Sequence, residues 1–313
     1  MTVIVRELRL DNPADTEAFA RIRRTCLPAM LATPASVAYA AAHAHPDAHY
    51  RQLIAQTGDG EPIGTAQVGL AYDSPTSGQG YANIYVHPDA ENRGAGTLLL
   101  RTAEAHLAQH GATEVHCWAL ATPERNLSWV AAHGYRPGRS AHFLRLDLTP
   151  DALPPLQPTP PGVELLPATA YAADPRPLFT LDAAATRDEP GDIQSQLVDY
   201  EQWLHDTWHQ PLLNHALSTV AVVDGTPAAF TAALTDGEGR YVSGMTGTAR
   251  AHRGRGLAKL AKTDSLHRAR AAGVTVAYTG NDTGNAPMLA INKWFGYTLD
   301  ATEIRHVRTL DNA

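Results

Sequence analysis

The residues best placed to do chemistry are Arg253-Gly254-Arg255-Gly256-Leu257-Ala258. Two glycines let the backbone come close to an anion, and Arg253 and Arg255 bring donors and positive charge. Upstream, Arg240–Thr248 is rich in Tyr, Val and Thr and predicts a strand. Downstream, Leu257, Leu260, Ala261 and Leu266 recur at helical spacing, with Lys and Arg mostly elsewhere. Strand, Gly-rich turn and helix together aim backbone N–H groups and the positive end of a helix dipole at an anion such as a phosphate. Basic Gly-rich turns are common on surfaces, so the stretch alone is a weak signal.

A second cluster follows: Asn281, Asn285, Met288, Asn292, Gly296 and Tyr297. The order Arg-x-x-Gly-x-Ala, helix, strand, then Asn-x-x-Met-x-x-x-Asn-x-x-x-Gly-Tyr resembles the GNAT superfamily of acyl-CoA-dependent N-acetyltransferases, over roughly the last seventy positions. The resemblance implies an α/β fold with a mixed central sheet flanked by helices, and acetyl-CoA as co-substrate without a metal. It places the pyrophosphate on Arg253–Ala258 and the pantetheine arm beside the second cluster. Thr246, Gly247, Thr248, Asn281, Asn285 and Asn292 are the further contacts it implies.

The implied reaction is direct attack of a neutral amine on the thioester. It needs a base for the amine, a donor for the thioester oxygen and an acid for the leaving thiolate. In the family the donor is usually a backbone N–H of the strand before the turn, here the irregular Gly244-Met245-Thr246-Gly247-Thr248. Many members place a Tyr acid where this chain has Asn292, and Asn delivers no proton at neutral pH. Tyr278 and Tyr297 therefore stand beside Asn292 as catalytic candidates. Candidate bases are Asp188, Glu189 and Asp192 in one loop, Asp236 and Glu238 in a hairpin, and His215. For each the commoner reading is a solvated or capping residue; Glu189 is the one carried forward.

The elements that must hold these residues occur twice. Gly94 and Gly256, Gly111 and Gly273, Gly134 and Gly296, and Tyr135 and Tyr297 are each separated by 162 positions. Two copies of one fold, related by a pseudo-two-fold, explain that spacing. A domain over 1–149, a Pro-rich linker over 150–162 and a domain over 163–313 are expected. The first half predicts a strand at Thr2–Leu8, helices at Asp15–Cys26 and Ser36–His43, and strands at Tyr50–Gln56, Ile63–Tyr72 and Tyr81–Val86. A helix running to His110 and a final strand at His142–Leu148 follow. The second half predicts strand 163–166, helices near Pro177–Thr186 and Ile193–Trp208, strands 216–223, 226–234 and 240–248, and a final strand at Glu303–Thr309. In both halves the central strand is expected to splay from the next one at the motif.

The copies differ where chemistry is decided. Glu91 stands at the position of Arg253, and Pro123, Asn126 and Val130 replace Asn285, Met288 and Asn292. The C-terminal copy is therefore expected to be catalytic. The N-terminal copy, with Val86, Arg93, Gly94, Ala95 and Gly96, is expected to be structural or a vestigial acyl-CoA site.

Composition bounds the rest. The chain has 313 residues, 44% hydrophobic and 18% charged, a globular balance sized for two domains. A formal charge of −7 argues against a nucleic-acid binder and suits amine substrates. Two cysteines, Cys26 and Cys117, make no disulfide framework. His43, His45 and His49 match no strong metal spacing, and Cys117 reads as buried. Tyr200, Trp203 and Trp208 read as core aromatics or as the lining of an acceptor pocket. No signal peptide or membrane-length apolar run is evident, so the cytoplasm is the expected location. The leading expectation is acetyl transfer from acetyl-CoA to a primary amine of a small molecule, such as an antibiotic or metabolite. The alternatives are a non-catalytic acyl-CoA-binding regulatory or scaffold protein, and a protein-lysine acetyltransferase.

Overall fold

The computed structural model describes residues 2–310. The first half forms β1 (Val3–Glu7), α1 (Pro13–Cys26), α2 (Pro34–Ala42), β2 (Arg51–Thr57), β3 (Pro62–Leu70), β4 (Gln79–Val86), α3 (Ala95–Gln109), β5 (Glu114–Leu120), α4 (Arg125–Ala132) and β6 (Arg136–Asp147). The second half forms β7 (Val163–Pro167), α5 (Arg176–Thr186), α6 (Tyr200–Trp203), β8 (Thr219–Val223), β9 (Thr226–Thr235), β10 (Arg240–Thr248), α7 (Leu257–Ala271), β11 (Val276–Asp282), α8 (Ala286–Phe295) and β12 (Thr298–Thr309). Local chemistry sets the helix starts. Asn12 caps α1 ahead of Pro13, Thr33 and Ser36 cap each other in a box at α2, and Asn285 caps α8.

These elements divide into two compact units. Unit 1 comprises Met1–Ala141, Gly191–Ser195 and Ala301–Ala313; unit 2 comprises His142–Pro190 and Gln196–Asp300. In unit 1 the strands run β1-β2-β3-β4-β5-β12, and in unit 2 β7-β8-β9-β10-β11-β6. The topology is the same in both, a mixed sheet with a parallel pair at its centre. One expectation is corrected. The final strand of each half does not close its own sheet: β12 pairs antiparallel with β5 from Glu303↔Leu120 to Thr309↔Glu114, and β6 from His142 onward belongs to unit 2. The segment expected to be a linker is also part of unit 2. Leu153 is buried in its core, and His267 on α7 bonds the Pro154 carbonyl.

Each sheet separates two cores. In unit 1, Leu99, Leu100, Ala103 and Leu107 of α3 pack on Leu53, Ala66, Val68 and Ala82, while α1 and α2 cover Ile54 on the other face. In unit 2, α7 and α8 cover Tyr241 and Ala277 with Leu266 and Phe295. The opposite face carries an aromatic cluster of Phe179, Tyr200, Trp203, Trp208 and Phe230 with Val220 and Val222. The helix expected over Ile193–Trp208 is shorter: α6 starts at Tyr200, capped by Asp199, whose side chain accepts from Gln202 N at 3.0 Å, and continues as a wide π-turn over Leu204–Trp208. Pro190-Gly191 breaks the backbone ahead of it, and 187–199 has no regular structure.

Candidate active site

The parallel centre of each sheet opens where the motif begins. β4 pairs with β5 only from Gln79 to Tyr81, and β10 with β11 only from Arg240 to Ser243. Beyond those points the strands diverge, as the repeat predicts. The two central strands then behave differently. β4 keeps an unbroken register with β3 from Leu70↔Gly80 to Gly64↔Val86. The register of β10 on β9 breaks between Ser243 and Thr246, so Gly244 and Met245 form a bulge. A bulge takes backbone groups out of the ladder and leaves them for another partner. Past it, Thr246 pairs with Thr231, their hydroxyls 2.8 Å apart, Gly247 lies opposite Phe230, and Thr248 opposite Ala229. Gly247 is required by contact: a Cβ there would stand 2.5 Å from Ala185 Cβ on α5.

After β10 the chain makes a short turn and enters α7 through Gly254 (φ +77°) and Gly256 (φ +76°). Both glycines are left-handed, and a Cβ at either would meet nothing within 4 Å. The helix start has no side-chain cap and no acidic residue in its first turn. Its N–H groups therefore face open space in a positive field, a cradle that fits a phosphate. Ala258 lies in the first turn, and Leu257 turns inward into the core. The arginines are engaged. Arg253 donates from Nε to the Thr248 carbonyl (3.2 Å) and from Nη2 to Asp188, while Arg255 lies against His252. Asp188 also accepts from Arg250, and these two guanidiniums hold its carboxyl far below the usual range. So acidic a carboxyl is a poor base.

Behind the cradle lies a buried polar chain. Asn292 is fully buried; its Nδ2 donates to Asn281 Oδ1 at 2.5 Å, and its Oδ1 accepts from Lys262 Nζ at 2.6 Å. Lys262 is also fully buried, 3.5 Å from Thr279 Oγ1 and 5.1 Å from the centre of the Tyr297 ring. None of these neighbours is anionic, and burial pushes the ammonium down to about 7. Asn285 acts as the cap of α8, accepting from Met288 N at 3.4 Å. Tyr297 belongs to the core of unit 2, its hydroxyl beside Ser243 without a well-formed hydrogen bond and its pKa raised by burial. Tyr278 is not brought to Asn292; it sits near Arg145, Arg240, Asp147 and Asp300, and burial raises its pKa.

Among the base candidates, Glu189 stands out. Surrounding protein, with Asp182 and Asp282 nearby, raises its pKa although its surface remains open to solvent. Asp236 is tied to Arg240 and to the amides of Glu238 and Arg240. Asp192 lies in unit 1. His215 packs edge-on against Trp208, and burial lowers its pKa. Two residues that sequence reasoning passed over are Lys262 and Asp182. Asp182 is buried on α5, accepts from Trp203 Nε1 at 2.8 Å and has a raised pKa from burial. Both lie on helix faces otherwise apolar, four residues before Leu266 and next to Leu181, and that misfit was the available signal.

In unit 1 the equivalent turn is Val86 to Gly96. Gly94 is left-handed (φ +86°) and starts α3 with Ala95, again without a side-chain cap. Glu91 is paired with Arg125 (Nε 2.9 Å), Arg93 is turned to the Asp89 carbonyl (2.8 Å), and Gly96 lies under Trp129. Cys26 donates its thiol to the Val86 carbonyl, and burial raises it to about 11. His43, His45 and His49 stack on Tyr39, Tyr72 and His110 respectively and do not converge. Among the described residues no group of three or more His, Cys, Asp or Glu could hold a metal, and no helix is long and apolar enough to cross a membrane.

Comparison with known proteins agrees with this geometry. The model of the acetyltransferase (GNAT) family matches residues 16–135 and again 179–297. A mycothiol acetyltransferase of Nocardiopsis dassonvillei is 26% identical over 277 residues, 82% of this chain and 81% of that one. A second, from a Nocardioides species, is 26% identical over 240 residues, 72% of this chain and 79% of its own. A GCN5-related N-acetyltransferase from Sphaerobacter thermophilus shares the fold with a TM-score of 0.71 at 22% identity, over 98% of this chain and 95% of that one. A tandem GNAT protein from the clavulanic acid biosynthesis pathway does so at 0.70 and 19%, over 98% of both chains. The chain belongs to the acetyltransferase (GNAT) family, carries its domain twice, and is an acyl-CoA-dependent acetyltransferase.

Proposed function

We propose that the C-terminal half transfers an acetyl group from acetyl-CoA to a primary amine of a small molecule. The observation that carries this reading is the pairing of a bulged β10 with an open, uncapped turn in unit 2, against an unbroken β4 in unit 1. The amides of Gly254–Ala258 hold the pyrophosphate, and acetyl-CoA supplies the activated thioester. Backbone freed at Gly244 and Met245 polarises the thioester oxygen. Asn281 and Asn285 flank the pantetheine arm, and Lys262 fixes the amide of Asn292. Glu189, its pKa raised by the surrounding protein, takes the proton of the incoming amine. The names of two relatives favour a small-molecule acceptor over a protein lysine. Thiol release against a panel of small amines and a lysine peptide tests this. Turnover with a small amine is expected. Thermal stabilisation by acetyl-CoA without thiol release from any amine would leave the non-catalytic binding reading instead.

A further inference from the structure

The face of the unit 1 sheet beneath α1 and α2 is polar where its counterpart in unit 2 is aromatic. Gln52, Gln67 and Asn83 stand in one row across β2, β3 and β4, and Thr65 and Tyr85 in the next. In unit 2, Phe230 faces Gly247 where Thr65 faces Tyr85. Four atoms of the polar face are buried with no hydrogen-bond partner among the described residues: Arg23 Nη1, Gln52 Oε1, Thr65 Oγ1 and Asn83 Oδ1. Arg23 is 6% exposed and makes no salt bridge among the described residues; the carboxylate that feels its charge is the buried Glu303, which bonds Tyr85. Its guanidinium lies against the Met30 sulfur at 2.6 Å and over the rings of Tyr85 and Phe19. Tyr50 Oη already accepts from Gln52 and Gln67, at 3.0 and 2.7 Å, which leaves its own proton to give. Deeper in, Tyr85 donates to the buried Glu303 at 3.1 Å.

Unpaired buried polar groups are costly, and an unpaired guanidinium more so. A sheet face that only had to pack would carry the apolar residues found in unit 2. We propose that unit 1 holds a recognition site for a small zwitterionic molecule of the α-amino-acid class. Arg23 Nη1 and the Tyr50 hydroxyl take the carboxylate. Gln52 Oε1 and Asn83 Oδ1 take the ammonium, and Thr65 serves either group. Access runs past Met30, Tyr50, Gln67 and Asn83, which are half-exposed. This site is separate from the acetyl-CoA turn of unit 2 and does not rest on the proposed acceptor.

Thermal melts of the full chain with glycine, L-serine and L-glutamate test it, with ethanolamine and lactate as probes lacking one charge each. At least one amino acid should raise the melting temperature by roughly 5 °C near saturation, and neither control should. Arg23→Met should fold, since it removes a buried charge without breaking a salt bridge, and should lose the shift. Asn83→Ala, at the half-exposed rim, should weaken it at least tenfold. Gly256→Asp should keep it. The proposal is overturned if none of the three amino acids shifts wild type, if Arg23→Met or Asn83→Ala shifts as wild type does, or if ethanolamine or lactate serves equally well. A shift lost in Gly256→Asp but retained in Arg23→Met would also overturn it.

Discussion

Replacing Lys262 with Met separates two large and opposed effects. The substitution keeps an unbranched side chain of similar volume and removes the buried amine, so little cavity forms. Lys262 falls from 10.5 to about 7 on folding, and at about pH 7 that shift opposes folding by ~4 kcal/mol. Against this, Asn292 Oδ1 loses its 2.6 Å partner, at a cost of roughly 1–3 kcal/mol for a buried acceptor. Lys262→Met should therefore be more stable than wild type by ~1–3 kcal/mol at about pH 7. The sign of the pH dependence follows from the depressed pKa. Between the two pKa values the unfolded chain binds the extra proton, so wild type gains stability as pH rises and the variant gains nothing from this position. From about pH 7 to about pH 9 the gain is ~2 kcal/mol, and the two proteins should converge. Urea unfolding of both at several pH values reads the difference. Parallel pH dependences would show Lys262 charged in the folded state and refute the reasoning.

Three further outcomes are expected. Gly256→Asp and Gly94→Asp pay a similar strain of ~1–2 kcal/mol, because φ is +76° and +86°. Calorimetric affinity for acetyl-CoA and thiol release should fall at least about tenfold only in the first, where a carboxylate enters the phosphate cradle. Glu189→Gln should lower kcat/KM by about 10²–10⁴ and remove an acid limb shifted upward from the ordinary glutamate value; an unchanged pH–rate profile would exclude it as the base. Asp15 accepts from Arg6 (2.5 and 2.9 Å), Arg9 (3.0 Å from its amide) and Asn12 (3.0 Å), which hold its pKa far down. Its contribution is present above the unfolded value near 3.8 and lost as pH falls below it, so Asp15→Asn should flatten acid unfolding in that window; an acid transition like that of wild type would refute this.

The glycines made the repeat legible because they answer a backbone demand. Gly94, Gly111, Gly134, Gly256, Gly273 and Gly296 all have positive φ, a conformation side-chain-bearing residues resist. Strand and helix positions followed from alternation and spacing, and the bulge from Gly244 and Gly247. What stayed hidden is tertiary. Nothing near Asp188 announces Arg250 and Arg253, which meet it only in the fold. Lys262 was passed over because lysine is rarely buried without a partner. The exchange of final strands was invisible because both end segments alternate in the same way, and either could edge either sheet.

That exchange has a consequence for how the chain is made. Leu120 waits for Glu303, so the sixth strand of the first sheet leaves the ribosome roughly 180 residues after the fifth, on the order of 10–40 s later at ordinary rates of synthesis. During that interval the edge of β5 is a row of unpaired amides and carbonyls with no native partner yet made. Synthesis stopped anywhere before residue 301 would leave the first unit unfinished, and a gene cut at the boundary between the repeats would yield two products that each lack a strand the other encodes. The duplication is read twice in the sequence, but it is inherited as a single indivisible piece.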